Sequence, residues 1–263
     1  AFFDFRAIRS VQPYLRHRFP EHTFFARWLD TYRIFFEQGK MLIDRYAGIS
    51  GVAHVEIDPC ECKNHASCLV GQRGMVLLMS HVGNWQAAIP SIRHFGMPVN
   101  LLMMREANQS VTQVLKIDQD HGDVHILSAD RFIEQAPRIV SALTGKEIVG
   151  LMGDRAYGTT TVAVPFLGET AYFPYSAFGI AASVGCPVLV MLVPRLRCGG
   201  YEIHTPMMVE PTYRPDVPRI SQLTEWVRQY ASALEVFSQE YPYQCFLYTD
   251  LWTPPPSRSA TEG

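Results

Sequence analysis

His81 stands two residues past the apolar run Met75 to Met79 and two before Gly83. A histidine beyond a buried strand and ahead of a helix start faces the open edge of a sheet. There one ring nitrogen can take a proton from a hydroxyl while the other is fixed by an acceptor. Gln86, five residues on, falls in the first turn of the expected helix and reads as that acceptor. Two further polar groups follow apolar runs directly: Arg105, Glu106 and Asn108 after Val99 to Met103, and Gly153-Asp154-Arg155 after Ile148 to Met152. Arginine forks match phosphate oxygens, the alternative being a structural ion pair with a neighbouring acid. Spacing alone also leaves His81 open to a purely structural role.

Two clusters invite a metal reading. Cys60, Cys62, His65 and Cys68 crowd together with His54 nearby, but Cys-x-Cys is tighter than the usual zinc spacing, so a loop of reduced thiols is the preferred reading. His121 and His125 lie among Asp118, Asp120 and Asp123, where a solvated loop is the simpler account. No metal and no cofactor is expected. The methionine pairs Met103-Met104 and Met207-Met208 suit core filling or an acyl pocket.

The elements that must hold these residues follow from periodicity. Thr23 to Tyr46 carries apolar residues at helical spacing, which predicts one or two packed helices. Strands are expected over 52–57, 75–79, 99–103, 124–127, 148–152, 187–193 and 201–205. Helices are expected from about Trp85 to Phe95, and over 110–120, 132–144, 175–184 and 220–241, with a Gly/Thr-rich loop after Arg155. Strands alternating with helices predict an α/β fold of αβα layers around a mostly parallel sheet. In such a sheet ligands bind beyond the carboxyl ends of the strands, where His81, Arg105 and Asp154 fall.

Composition narrows the class. The 263 residues are 48% hydrophobic, with 23 Lys+Arg against 25 Asp+Glu and a net charge of -2. That balance argues against a nucleic-acid partner and against extensive disorder. Six cysteines are too sparse for a disulfide scaffold, which favours a reducing compartment. No uncharged apolar run reaches the roughly 18 residues of a membrane-spanning helix. The chain opens on Ala without a signal-peptide pattern, which suits a processed chain or a piece of a longer one. Residues 1–22 are basic and aromatic and suited to membrane contact, 23–252 form one domain, and 253–263 read as a disordered tail.

The run His81-Val82-Gly83-Asn84-Trp85-Gln86 resembles the His-x-x-Asn-Trp-Glu block of the bacterial lipid A late acyltransferases, within the glycerolipid and lysophospholipid acyltransferase superfamily. Arg105 with Asn108 is similar to a second block and Gly153-Asp154-Arg155 to a third. Val164 to Gly168 with Phe173-Pro174 is similar to a fourth. Gly185 to Arg195 and Tyr241 to Trp252 continue the likeness in the expected order. It spans about residues 24 to 252.

This resemblance implies an O-acyltransferase in which His81 is the general base on a hydroxyl of a lipid or glycolipid. The hydroxyl attacks an acyl thioester carried by acyl carrier protein or coenzyme A. Gln86 orients the imidazole, backbone N–H groups at Gly83 and Asn84 steady the oxyanion, and Asn84, Arg105, Asp154 and Arg155 contact substrate. The implied setting is peripheral, on the cytoplasmic face of a bacterial inner membrane. Position 86 departs from the family, which has a carboxylate there. An amide can orient the ring but cannot balance an imidazolium charge. Three readings follow: an enzyme with a weaker base, one whose acid has moved to Asp154 or Glu106, or a catalytically silent lipid or acyl-carrier binding protein. A thioesterase-like hydrolase, with water in place of the alcohol, is the other alternative.

Overall fold

The computed structural model describes residues 5–49, 57–58, 73–88, 92, 96–103, 124–129, 132–156 and 160–255. Three helices open the chain: α1 (Phe5–Ser10), α2 (Gln12–Arg18) and α3 (Phe24–Ile49). The two-residue strand β1 (Ile57–Asp58) follows. The central sheet uses β2 (Met75–Met79), β3 (Val99–Met103), β4 (Val124–Ser128), β5 (Ile148–Met152), β8 (Val188–Leu192) and β10 (His204–Val209). Between β4 and β5 runs α4 (Phe132–Thr144), and between β5 and β8 come the hairpin β6 (Thr161–Phe166) and β7 (Glu169–Pro174) and helix α5 (Ser176–Val184). The two-residue β9 (Tyr201–Glu202) pairs with β1, and α6 (Arg219–Glu240) closes the order.

The sheet reads β10-β8-β2-β5-β3-β4, parallel throughout except for the antiparallel edge strand β10. Every residue of β2 and β8 is buried, as a parallel strand covered on both faces requires. Helix α4 packs on β5 and β4, α5 on β2 and β8, and α6 on the β6–β7 hairpin and β10. The expected αβα class is therefore the observed one. From β2 the chain moves outward to β3 and β4. From β5 it crosses to the other side, to β8. The gap between β2 and β5 is thus a topological switch point, where a crevice opens beyond the strand ends.

Several expectations change in detail. The stretch after Arg155 holds a hairpin rather than a loop alone. Val162, Val164 and Phe166 alternate inward, and a two-residue turn at Leu167 (φ 52°) and Gly168 (φ 83°) joins its strands. Paired positive φ values are what a tight hairpin needs. The helix read from Trp85 onward is, where described, a 3-10 turn over Trp85–Ala88. Of the stretch Thr23 to Tyr46, all but Thr23 falls within one continuous helix, α3. In the N-terminal segment Val11, Tyr14 and Leu15 are core residues, and Tyr14 donates its hydroxyl to the Pro242 carbonyl (2.8 Å). Residues 5–18 are therefore largely built into the fold. At the other end Thr253 is bonded to Asp250, while 256–263 lie outside the described residues. So do residues 52–56 of the strand expected over 52–57, whose last residue Ile57 lies in β1, and the helix over 110–120.

Candidate active site

The segment carrying His81 is clamped on both sides. The His81 carbonyl accepts from the Phe246 N–H (2.8 Å) and the Gly83 N–H donates to Gln244 O (2.8 Å). The Asn84 N–H donates to Val193 O at the end of β8 (2.8 Å). Gln244 completes the clamp by closing a two-way bond with the Arg195 backbone, at 2.8 Å each way. Gly83 lies so close to β8 that a Cβ would sit 2.1 Å from Val193 O, and its φ is +57°, so glycine is required on both counts.

These bonds correct one expectation. The N–H groups of Gly83 and Asn84 are tied to protein carbonyls and are not free to hold an oxyanion.

Asp154 arrives from the neighbouring strand. Parallel pairing sets Met79 against Met152, so His81 and Asp154, each two residues further on, occupy matched positions beyond the strand ends. The imidazole Nδ1 lies 2.9 Å from Asp154 Oδ2 and 3.1 Å from Oδ1. The Asp154 side chain is 1% exposed and that of His81 is 24% exposed. Burial pushes this carboxyl upward. The charge and hydrogen bond of His81 and the charge of Arg155 outweigh it and hold the group below its ordinary range. An ionised carboxylate only accepts, so Nδ1 must carry the proton and Nε2 is the nitrogen left for substrate. Among the described residues no group bonds Nε2.

Gln86 makes no hydrogen bond to His81. Its side chain lines the cleft, and among the described residues it has no hydrogen-bond partner. The orienting position that spacing assigns to Gln86 is occupied instead by Asp154, the moved acid of the sequence reading. The register explains why: Nδ1 faces the end of β5, not the 3-10 turn.

Beneath the pair, the Gly153 N–H and the Tyr230 hydroxyl from α6 both donate to Met79 O, at 2.9 and 3.1 Å. A Cβ on Gly153 would meet the Tyr230 ring and hydroxyl at 2.7 Å. Burial and the nearby Asp154 charge hold the Tyr230 phenol well above its ordinary range, so it remains a donor at any working pH. No sequence signal pointed to Tyr230. A glycine ahead of the acid, needing a closely packed neighbour, was the available hint.

The cleft encloses about 370 Å³. His81, Asn84, Gln86 and Arg155 supply its polar wall, and Met41, Leu42, Trp85, Leu102, Met103, Met152 and Phe246 are among its apolar lining. Nε of Arg155 is buried without a protein partner, and among the described residues the guanidinium has no carboxylate within ion-pair distance. It is thus a positive charge available to an anion. Asn84 is 7% exposed and its side chain meets the Tyr201 hydroxyl, which also donates to Asp44 (2.9 Å). Arg105, Glu106 and Asn108 lie outside the described residues, as do the Cys60, Cys62, His65 and Cys68 cluster and His121. His125 lies on β4. Among the described residues no cluster of His, Cys, Asp and Glu could hold a metal ion.

The arrangement can deprotonate a hydroxyl beside an apolar chain with an anion close by. A family model described as bacterial lipid A biosynthesis acyltransferase matches residues 54–234, more than half of the chain, and the match takes in the His81 and Asp154 segments together. No individually curated protein matches.

Proposed function

From the premise that the chain belongs to the bacterial lipid A biosynthesis acyltransferase family, we propose that it moves a fatty acyl group from a thioester to a lipid hydroxyl with His81 as base and Asp154 as orienter. The family supplies the acyltransferase activity, an acyl donor and a lipid acceptor. The residue roles, the O-acyl product and the carrier are our reading. The observation that carries it is the Nδ1–carboxylate bond of a half-buried histidine at the switch-point cleft.

In this reaction Nε2 accepts the proton of the acceptor hydroxyl as its oxygen attacks the thioester carbonyl carbon. The tetrahedral intermediate collapses with cleavage of the carbon–sulfur bond. The imidazolium returns its proton to the departing thiolate, leaving an ester and a free thiol. Asp154 keeps Nδ1 protonated and balances the imidazolium charge. Arg155 receives a phosphate of the donor or acceptor, and Arg105 is proposed for the same task from its place in the sequence. With Gly83 and Asn84 N–H groups engaged, the Arg155 guanidinium is the strongest unpaired donor among the described cleft residues. Gln86 becomes a hydrogen-bonding wall of the cleft, and Asn84 shapes the turn. We place the reaction at the cytoplasmic face of the inner membrane, where acyl carrier protein and coenzyme A thioesters occur. Among the described residues no helix is long and apolar enough to cross a membrane.

The experiment supplies labelled acyl carrier protein or acyl-coenzyme A, with and without a lysolipid acceptor, and follows both ester product and free thiol. Transfer that requires acceptor is expected. Free fatty acid formed equally well without acceptor would establish a hydrolase, and absence of turnover in every combination would return the chain to a binding role.

A further inference from the structure

Exposed apolar side chains gather on α3. Phe25, Trp28, Leu29, Tyr32, Phe36 and Ile43 are exposed, Phe25 at 79%, Ile43 at 68% and Trp28 at 58%. At roughly 100° per residue these positions fall within about 60° of one line along the helix. Ile34 and Met41 point the other way, into the core. A stripe of this length exceeds the scattered apolar exposure that any soluble surface carries. Its Trp, Tyr and Phe content is that of side chains that settle where hydrocarbon meets water.

Of the charges flanking it, those on α1 and α2 are all positive, with Glu21 the acid in the turn between α2 and α3. Each carboxylate of α3 is already paired: Asp30 with His22 and Arg33, Glu37 with Lys40, and Asp44 with Arg195. Helices α1 and α2 carry Arg6, Arg9, Arg16 and Arg18 and no acid, and Arg9 and Arg16 are exposed. Gln12 of α2 bonds Thr31 of α3 (3.0 Å), which docks α2, and α1 with it, against a flank of α3 about 120° around the helix from the stripe. The same helix reaches the cleft through Gln38, Met41 and Leu42, and Leu42 is at once cleft-lining and exposed.

We propose that α3 lies along the surface of an anionic phospholipid bilayer, its aromatic stripe among the upper acyl segments and Arg9 of α1 and Arg16 of α2 at the headgroup phosphates. The contact surface is thereby α3, with residues 5–18 supplying charge more than apolar insertion. A second copy of the chain fits less well, because it would bring arginines against arginines, whereas an anionic leaflet supplies their counter-charge. The choice of a lipid occupant rests on the acyl-transfer reading. The test measures binding alone, so an inactive protein that still binds would separate the two.

The full chain is sedimented with vesicles of phosphatidylethanolamine and phosphatidylglycerol, and with phosphatidylcholine vesicles for comparison. Binding to the anionic vesicles is expected, weakened by salt. It should fall at least about tenfold in a Phe25→Ser/Trp28→Ser/Phe36→Ser variant. It should be unchanged in Val236→Ser, an exposed apolar position on α6 (62%). Arg9→Glu/Arg16→Glu should weaken binding to the anionic vesicles alone. Brominated lipid should quench part of the tryptophan emission, and Trp28→Phe should remove that part, a readout that does not depend on the triple variant folding. A wild-type chain that ignores anionic vesicles would overturn the proposal. So would a triple variant that binds them as before, or a wild-type dimer that the triple substitution converts to monomer without altering vesicle binding.

Discussion

Asp154→Asn is the substitution that bears most directly on the site. The carboxylate sits 2.9 Å from Nδ1 and its side chain is 1% exposed. At an effective dielectric near 20, opposite unit charges at that separation attract by about 6 kcal/mol. His81 is partly open to solvent, so about 3–5 kcal/mol is a reasonable share for the imidazolium formed as the hydroxyl is deprotonated. At about 1.4 kcal/mol per decade, turnover should fall by about 10²- to 10⁴-fold. An amide that turns its NH2 toward Nδ1 adds a second loss, because the ring then carries its proton on Nε2 and has no base to offer. Gln86→Ala removes no charge and at most one neutral hydrogen bond to substrate, so it should lower turnover about tenfold or less. The assay is thiol release from the acyl thioester in the presence of acceptor. Nitrogen-15 spectra of the imidazole, assigned by loss of the His81 signals in His81→Asn, report the tautomer independently. A folded Asp154→Asn protein within tenfold of wild type, or a Gln86→Ala protein that loses as much as Asp154→Asn, would refute the reasoning.

Gly83→Ala, which forces a Cβ to 2.1 Å from a backbone oxygen at positive φ, should cost about 3 kcal/mol or more, seen as a lowered midpoint in urea. Gly153→Ala meets side chains of Tyr230 and Leu78 that can yield slightly, so its cost should be about 1–3 kcal/mol by the same measurement. Burial pushes the Cys186 thiol up to about 11 and the Cys245 thiol up to about 12, so both should resist iodoacetamide at pH 8 in the folded chain. Exposed Cys198 should label, and peptide mass mapping reads all three. Because the native Asp154 carboxyl titrates below its unfolded counterpart, the stability it contributes is complete above pH about 4 and is lost as acid takes it through its lowered native pKa. Denaturation followed from pH 6 downward should show a shallower acid limb in Asp154→Asn than in wild type.

The strands of the sheet were legible because a buried parallel strand leaves a continuous apolar run. Met75–Met79, Val99–Met103 and Ile148–Met152 have the limits the sequence suggests. The β6–β7 hairpin escaped notice because its turn uses Leu167 and Gly168, without an Asn or Asp to mark it. His81 stands out as a candidate base from its place after a strand, but its hydrogen-bond partner is Asp154 and not Gln86. Counting five residues from His81 to Gln86 assumes an α-helical first turn and a ring directed at it. The direction depends on which strand lies beside β2, and periodicity carries no information about strand order. Once β5 is known to be that neighbour, equal offsets from Met79 and Met152 make the pair inevitable. Arg155 was placed correctly at a strand end, yet only the fold reveals that its Nε is buried without a protein partner.

The two halves of the proposed proton relay lie 73 residues apart in the chain and are brought together by the docking of β2 against β5. The imidazole therefore gains its tether only once these two strands are paired. A nascent or half-folded chain carries the whole His81 block and still has no oriented base. Competence is a property of the finished architecture, and any lesion that loosens the seam between these two strands should silence the chemistry well before it unfolds the molecule.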